Sequence, residues 1–160
     1  MNFNHFDDRG DAVMVDVSAK QPTLRTAVAE AVVRLSPELL SAILKGGIAK
    51  GDVLGVARLA GIMAAKKTPE LIPLSHPLAL HSVAVDLTTD TGSGQIAIQC
   101  TVRAFERTGV EMEAMTGAAV AALTIYDMCK GSDKTIVIGE IKLLYKEGGN
   151  SGVFRRGEGK

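Results

Sequence analysis

The 160-residue chain has no Trp, only four Phe and two Tyr, two Cys, and no net charge, since 18 Lys+Arg balance 18 Asp+Glu. Neutrality argues against a protein whose main partner is a nucleic-acid backbone or an anionic membrane surface, because those partners select a net basic face. The shortage of aromatics also weakens RNA binding through a sheet, which relies on exposed rings. Cys100 and Cys129 allow at most one disulfide and fall in no CxxC or Cys/His spacing that would hold zinc, so a reducing compartment is the simpler reading. No stretch approaches the roughly 20 apolar residues of a membrane span. The N-terminus, MNFNHFDDRG, lacks the basic start and apolar run of a secretory signal. There is no GxxxxGK(S/T) phosphate loop either. These absences leave a soluble, cytoplasmic protein in which any anion site must be a local cluster of cations.

What is abundant is small and aliphatic, including 20 Ala and 17 Gly, so helices and strands can approach closely and an oligomer would suit the composition. Residues 1–12 are polar, with Asp7, Asp8 and Asp11 crowded together, and read as a mobile tail. Residues 148–160 read as a flexible Gly-rich tail, leaving 13–147 as a single domain without repeats or linkers. Ala27, Ala29, Ala31 and Val33 alternate as in a strand. Ser36-Pro37-Glu38 supplies an N-cap with Pro at the first helical position, and Gly46-Gly47 ends that short helix. A second helix runs from its cap, Asp52, to Lys66, where Thr68-Pro69 stops it. Residues 71–77 carry two prolines and form a restrained loop. Residues 82–88 and 95–104 alternate around Asp90-Thr91-Gly92-Ser93-Gly94 and predict a hairpin. Residues 112–130 predict a helix apolar on nearly every side and closed by Gly131, and 136–145 a final strand with a bulge at Gly139. The order strand, two helices, hairpin, helix, strand predicts an α+β, ferredoxin-like sandwich: a four-stranded antiparallel sheet with helices on one face.

Asp127 is the strongest chemical anomaly, a carboxylate near the end of the apolar helix and three residues before Lys130, hence on the same helix face. Such a couple is either an ordinary ion pair at a helix terminus or, in partly desolvated surroundings, an acid/base pair with shifted proton affinities. Glu111 and Glu113 flank Met112 at the start of the same helix, where they either cap the positive end of the dipole or accept from the edge of a guanine-like heterocycle. A helix rises 1.5 Å per residue, so Glu113 and Asp127 are roughly 21 Å apart and a single small-molecule site using both must lie between subunits. His76, between Ser75 and Pro77, makes a structural hydrogen bond or belongs to a site. Lysines are scattered along the chain, Lys20 among them, and several, including Lys50 and Lys146, stand at element ends or beside glycines; they are surface residues, or they converge on a polyphosphate.

Six ordered segments then carry a resemblance: Asp16-Val17-Ser18-Ala19-Lys20, Lys50-Gly51-Asp52, Ala60-Gly61-Ile62, Leu71-Ile72-Pro73-Leu74-Ser75-His76-Pro77, Gly109-Val110-Glu111-Met112-Glu113-Ala114-Met115, and Ala122-Leu123-Thr124-Ile125-Tyr126-Asp127-Met128-Cys129-Lys130. From about residue 13 to 152 the chain resembles the cyclic pyranopterin monophosphate synthase family of molybdenum cofactor biosynthesis. The resemblance implies a lyase that rearranges 3′,8-cyclo-7,8-dihydro-GTP and closes a cyclic phosphate with loss of pyrophosphate. It also implies a homo-oligomer, a hexamer built as a trimer of dimers, with the site at a subunit interface. By position it makes Asp127 the catalytic carboxylate and Lys130 its proton-transfer partner. Leu74, Ser75, His76, Glu111, Met112 and Glu113 become substrate contacts, and Lys20, Lys50 and Lys146 triphosphate or acid/base lysines. No redox cofactor or protein metal site is implied, although Mg²⁺ can accompany the triphosphate. The family commonly has Cys at the place of Ser75 and often Lys at that of Asn150. The competing expectation is a non-catalytic nucleotide-binding or scaffolding module of ferredoxin-like fold, which would have no use for a desolvated acid/base couple.

Overall fold

The computed structural model describes residues 5–46 and 51–157. Lys50, Gly47 and the first four and last three residues lie outside the described residues. Strand β1, Thr23–Arg34, begins earlier than the alanine alternation suggests. Helix α1, Pro37–Leu44, starts on Ser36, whose Oγ accepts from the Leu39 N–H at 3.2 Å, and ends with Gly46 at φ 70°. Helix α2, Val53–Lys66, is capped by Asp52, whose carboxylate accepts from the Gly55 N–H at 2.8 Å. After the break at Lys67, Thr68–Leu71 forms one further helical turn, α3. Hairpin strands β2, Leu80–Asp90, and β3, Gln95–Glu106, follow, then helix α4, Glu111–Cys129. Its C-cap is Lys130, and the Cys129 carbonyl is satisfied by the N–H groups of Ser132 and Asp133.

Strand β4, Val137–Glu147, pairs with β1 through two irregularities. One leaves Glu140 and Ile141 opposite Ala31 alone, so the bulge lies beside Gly139, and Glu140 takes the left-handed conformation at φ 55°. The sheet is antiparallel in the order β2-β3-β1-β4-β5 and has five strands, not the expected four. The fifth, β5 (Phe154–Arg155), comes from the Gly-rich segment after residue 147. Gly148, Gly149 and Gly152, all at positive φ, reverse the chain so that Phe154 and Arg155 pair with Lys146 and Tyr145. The Arg155 guanidinium then stacks 4.8 Å from the Tyr145 ring centroid.

The core lies between one face of the sheet and the layer of α2 and α4. On that face Ala27, Ala29, Ala31 and Val33 of β1 stand opposite Val102, Cys100, Ile98 and Ile96 of β3, and all eight are fully buried. Small residues on the central strand leave room for α4, which packs on β1, β3 and β4 while α2 packs on α4 and β2. Two glycines set that approach. A Cβ on Gly61 would stand 2.9 Å from the Gly117 carbonyl, and one on Gly117 would stand 2.6 Å from Cys100 Sγ. Burial pushes the Cys100 thiol up to about 12, leaving it a packing residue. This arrangement brings the start of α4, the loop before β2 and the segment before β1 to one end of the molecule, and carries the other end of α4 away from it.

Candidate active site

The first turn of α4 points Glu111, Met112 and Glu113 into a cleft of about 620 Å³. The restrained loop supplies Leu74, Ser75 and His76, and the segment before β1 supplies Val15, Val17 and Lys20. His76 is held by its ring: Nε2 donates to the Val15 carbonyl at 2.7 Å, since a carbonyl can only accept, so in the neutral ring Nδ1 is the acceptor. That bond also joins the loop to the segment carrying Lys20. Ser75 Oγ lies buried without a hydrogen-bond partner at the cleft wall, a polar atom free to bond to a ligand.

Glu113 is the least ordinary group here. It is 3% exposed, and this burial pushes its carboxyl up to about 7, against a backbone hydrogen bond that lowers it and with repulsion from Glu111 adding to the rise. Near neutral pH it can therefore give or take a proton.

A second cleft of about 550 Å³ adjoins the first, and Lys20, Thr108, Gly109 and Glu111 line both. Its walls add Arg25, Arg107 and Lys146, with Asn150 and Ser151. Lys146 Nζ is 3.0 Å from Glu111 Oε1 and donates to Ser151 Oγ at 2.9 Å. Four cations against Glu111 make this cleft a place for an anion, although the chain has no net charge.

Asp127 and Lys130 are not at either cleft. Asp127 sits in the last turn of α4, about 21 Å along the helix from Glu113, and Lys130 is the C-cap that follows. Lys130 Nζ lies 2.5 Å from Asp127 Oδ1, with the side chains 52% and 63% exposed respectively. The hydrogen bond to Asp127 and then its charge hold the Lys130 ammonium above its ordinary value. The desolvation expected from the apolar sequence is absent within one chain, because the pair projects from the helix face turned away from the sheet. Leu123, one turn earlier, is an apolar side chain left 56% exposed on the same helix.

A family model described as the MoaC family matches residues 14–149. The chain belongs to the MoaC family. It is 79% identical over 160 residues, all of both chains, to a protein of Pelobacter propionicus named cyclic pyranopterin monophosphate synthase. Proteins of that name from Geotalea uraniireducens and Rhodospirillum rubrum are 73% identical over 158 residues and 57% identical over 150. These alignments cover 99% of both chains in the first case, and 94% of this chain and 90% of the relative in the second.

In this MoaC-family chain the structure thus gathers Lys20, Leu74, Ser75, His76, Glu111, Met112, Glu113 and Lys146 around two joined clefts and leaves Asp127 and Lys130 apart. Arg25, Arg107 and His5, which also line the clefts, were missed in the sequence. Arg25 carried a usable signal: it is in phase with Ala27, Ala29 and Ala31, so a charge occupies the buried face of β1. Arg107 and His5 lie outside regular elements, where no periodicity marks them.

Among the described residues, no group of three or more His, Cys, Asp or Glu side chains is placed to hold a metal ion. No described helix is long and apolar enough to cross a membrane.

Proposed function

We propose that the chain is a cyclic pyranopterin monophosphate synthase, a lyase that converts 3′,8-cyclo-7,8-dihydro-GTP to cyclic pyranopterin monophosphate and pyrophosphate. One observation carries this reading beyond the names of the relatives: a cleft with a buried carboxyl and a cationic cleft share four residues, matching a heterocycle joined to a triphosphate. In this reading Glu111 and Glu113 take the heterocycle's donors, while Leu74, Met112 and His76 bound its faces. Lys20 and Lys146, with Lys50, hold the triphosphate. A substrate hydroxyl attacks the α-phosphorus, its proton passes to a base, and the P–O bond to the β-phosphate breaks. The charge that develops on pyrophosphate is met by fixed cations, whose stabilisation grows toward the transition state. Mg²⁺, if used, would arrive with the triphosphate.

The acid/base couple is Asp127 and Lys130, supplied by another copy of the chain. Their distance from Glu113 along one rigid helix, and their exposure beside Leu123, support a site shared between subunits of a hexamer built as a trimer of dimers. Docking of a neighbour would desolvate the couple and strengthen its interaction. The flanking segments belong to the site as well, since His5 and Asn150 line the clefts on either side of the 13–147 catalytic domain. The central four strands, in the order β2-β3-β1-β4 with α2 and α4 on one face, fit a ferredoxin-like unit to which β5 is added. Cys100 and Cys129 are both buried and form no disulfide, which fits a reducing cytoplasm.

The test is to supply the cyclised dihydro-GTP and measure pyrophosphate together with the pyranopterin product. Stoichiometric formation of both is expected. Tight binding without turnover, under conditions where a relative turns over, would favour the non-catalytic nucleotide-binding module instead.

A further inference from the structure

Arg25 stands near the start of β1, facing the core side of the sheet, and is only 8% exposed. Its guanidinium is held in one orientation. Nε donates to the Glu106 carbonyl at 3.0 Å, and Nη2 donates to the Arg107 carbonyl at 3.1 Å. From above, the Gly148-Gly149 turn lies directly on it: a Cβ on Gly149 would overlap Nη1, and one on Gly148 would stand 3.0 Å from Cδ. One side chain therefore joins the two loops that wall the cationic cleft. The connection extends further, because Arg107 Nη1 donates to the Ser18 carbonyl at 2.7 Å, two residues before Lys20. On the other side, Ser151 holds Lys146.

Among the described residues Arg25 makes no ion pair; its bonds go to backbone carbonyls, so its charge is not compensated by the fold. A largely buried cation without a counter-charge is costly, and an anion entering the cleft relieves that cost. We propose that Arg25 is the positioning residue of the pyrophosphate subsite, setting the spacing of Lys20, Arg107 and Lys146 around the leaving group. This rests on the lyase reading above. Lysine cannot take its place, because one ammonium cannot span two carbonyls and also support the turn as a planar guanidinium does.

The experiment measures binding of inorganic pyrophosphate by calorimetry, and steady-state turnover, for wild type, Arg25→Lys, Gly149→Ala and the double variant. In Arg25→Lys, the pyrophosphate Kd and the substrate KM should both rise about 10-fold or more, as expected when anchoring groups shift by a fraction of an ångström. Because the same cations meet the charge that grows on the leaving group, kcat should fall as well, by about 10-fold or more. Gly149→Ala should act in the same direction by displacing the guanidinium, and the double variant should bind no more weakly than the worse single one, since both act on one group. A merely structural Arg25 would lower Tm and leave Kd and KM alone. If Arg25→Lys does not fold, Gly149→Ala decides, and wild-type pyrophosphate affinity in that variant overturns the proposal. A wild type that releases no pyrophosphate from the cyclised substrate overturns the lyase reading. A wild type that releases it, while Arg25→Lys and Gly149→Ala keep its KM and pyrophosphate affinity, overturns the role of Arg25 alone.

Discussion

Glu113 couples stability to pH in a direction opposite to that of a salt-bridged carboxylate. Its pKa rises from 4.5 to about 7 on folding, so between those values the folded state holds more protons than the unfolded one. Stability should therefore fall as pH climbs from about 4.5 to about 7 and stay low above that, by on the order of 3 kcal/mol at full extent. Glu113→Gln removes the buried charge. Its Tm should exceed that of wild type at pH 8 and converge with it near pH 4.5; parallel Tm profiles would show that Glu113 does not titrate in this window. Asp127 behaves differently, because its pair with Lys130 is exposed and contributes little to the fold. Asp127→Asn should leave secondary structure and oligomer size unchanged yet reduce turnover by about 10²–10⁴, the usual worth of a general acid or base. Retained turnover would remove Asp127 from its role.

Helix α4 has to meet two demands: one flank packs without gaps against α2 and the sheet, and both ends carry acidic groups. Its 19 residues manage the first with small side chains, and Gly117 is the tightest point, facing Cys100 Sγ on one side and the Gly61 carbonyl on the other. Gly117→Ala should raise intrinsic helix propensity by about 1 kcal/mol, yet overpacking should cost about 1–3 kcal/mol and win. Urea denaturation would read this as a lower midpoint at constant slope. A higher midpoint would mean that the helix-to-sheet gap can widen without penalty.

The assembled molecule is where the two ends of α4 have to meet. Glu113→Ala and Asp127→Ala proteins, each inactive alone, should regain part of the wild-type rate when mixed, dissociated and reassembled, because some interfaces then pair an intact Glu113 with an intact Asp127. Reassembled hetero-oligomers that never regain activity would place the whole site within one chain. The same mixture analysed by light scattering should give the mass of a hexamer.

Much of this protein was legible from local patterns, because each was a short-range physical rule. Ser36 and Asp52 announced the helix starts by their capping oxygens, and the hairpin around residues 90–94 followed from its alternation. The helical rise along α4 likewise placed Glu113 and Asp127 too far apart for one small site. The strand count was not legible, since β5 depends on three positive-φ glycines folding a tail back onto β4, and two residues carry no periodicity. Nor was the exposure of the Asp127–Lys130 pair, because an apolar helix does not say which flank faces the sheet. The local sequence thus decided which residue types stand at which element ends. Only tertiary packing decided that Arg25, Arg107, Lys20 and Lys146, drawn from four separate segments, form one basic cleft in a neutral chain, because convergence depends on how the sheet and α4 bring distant loops together.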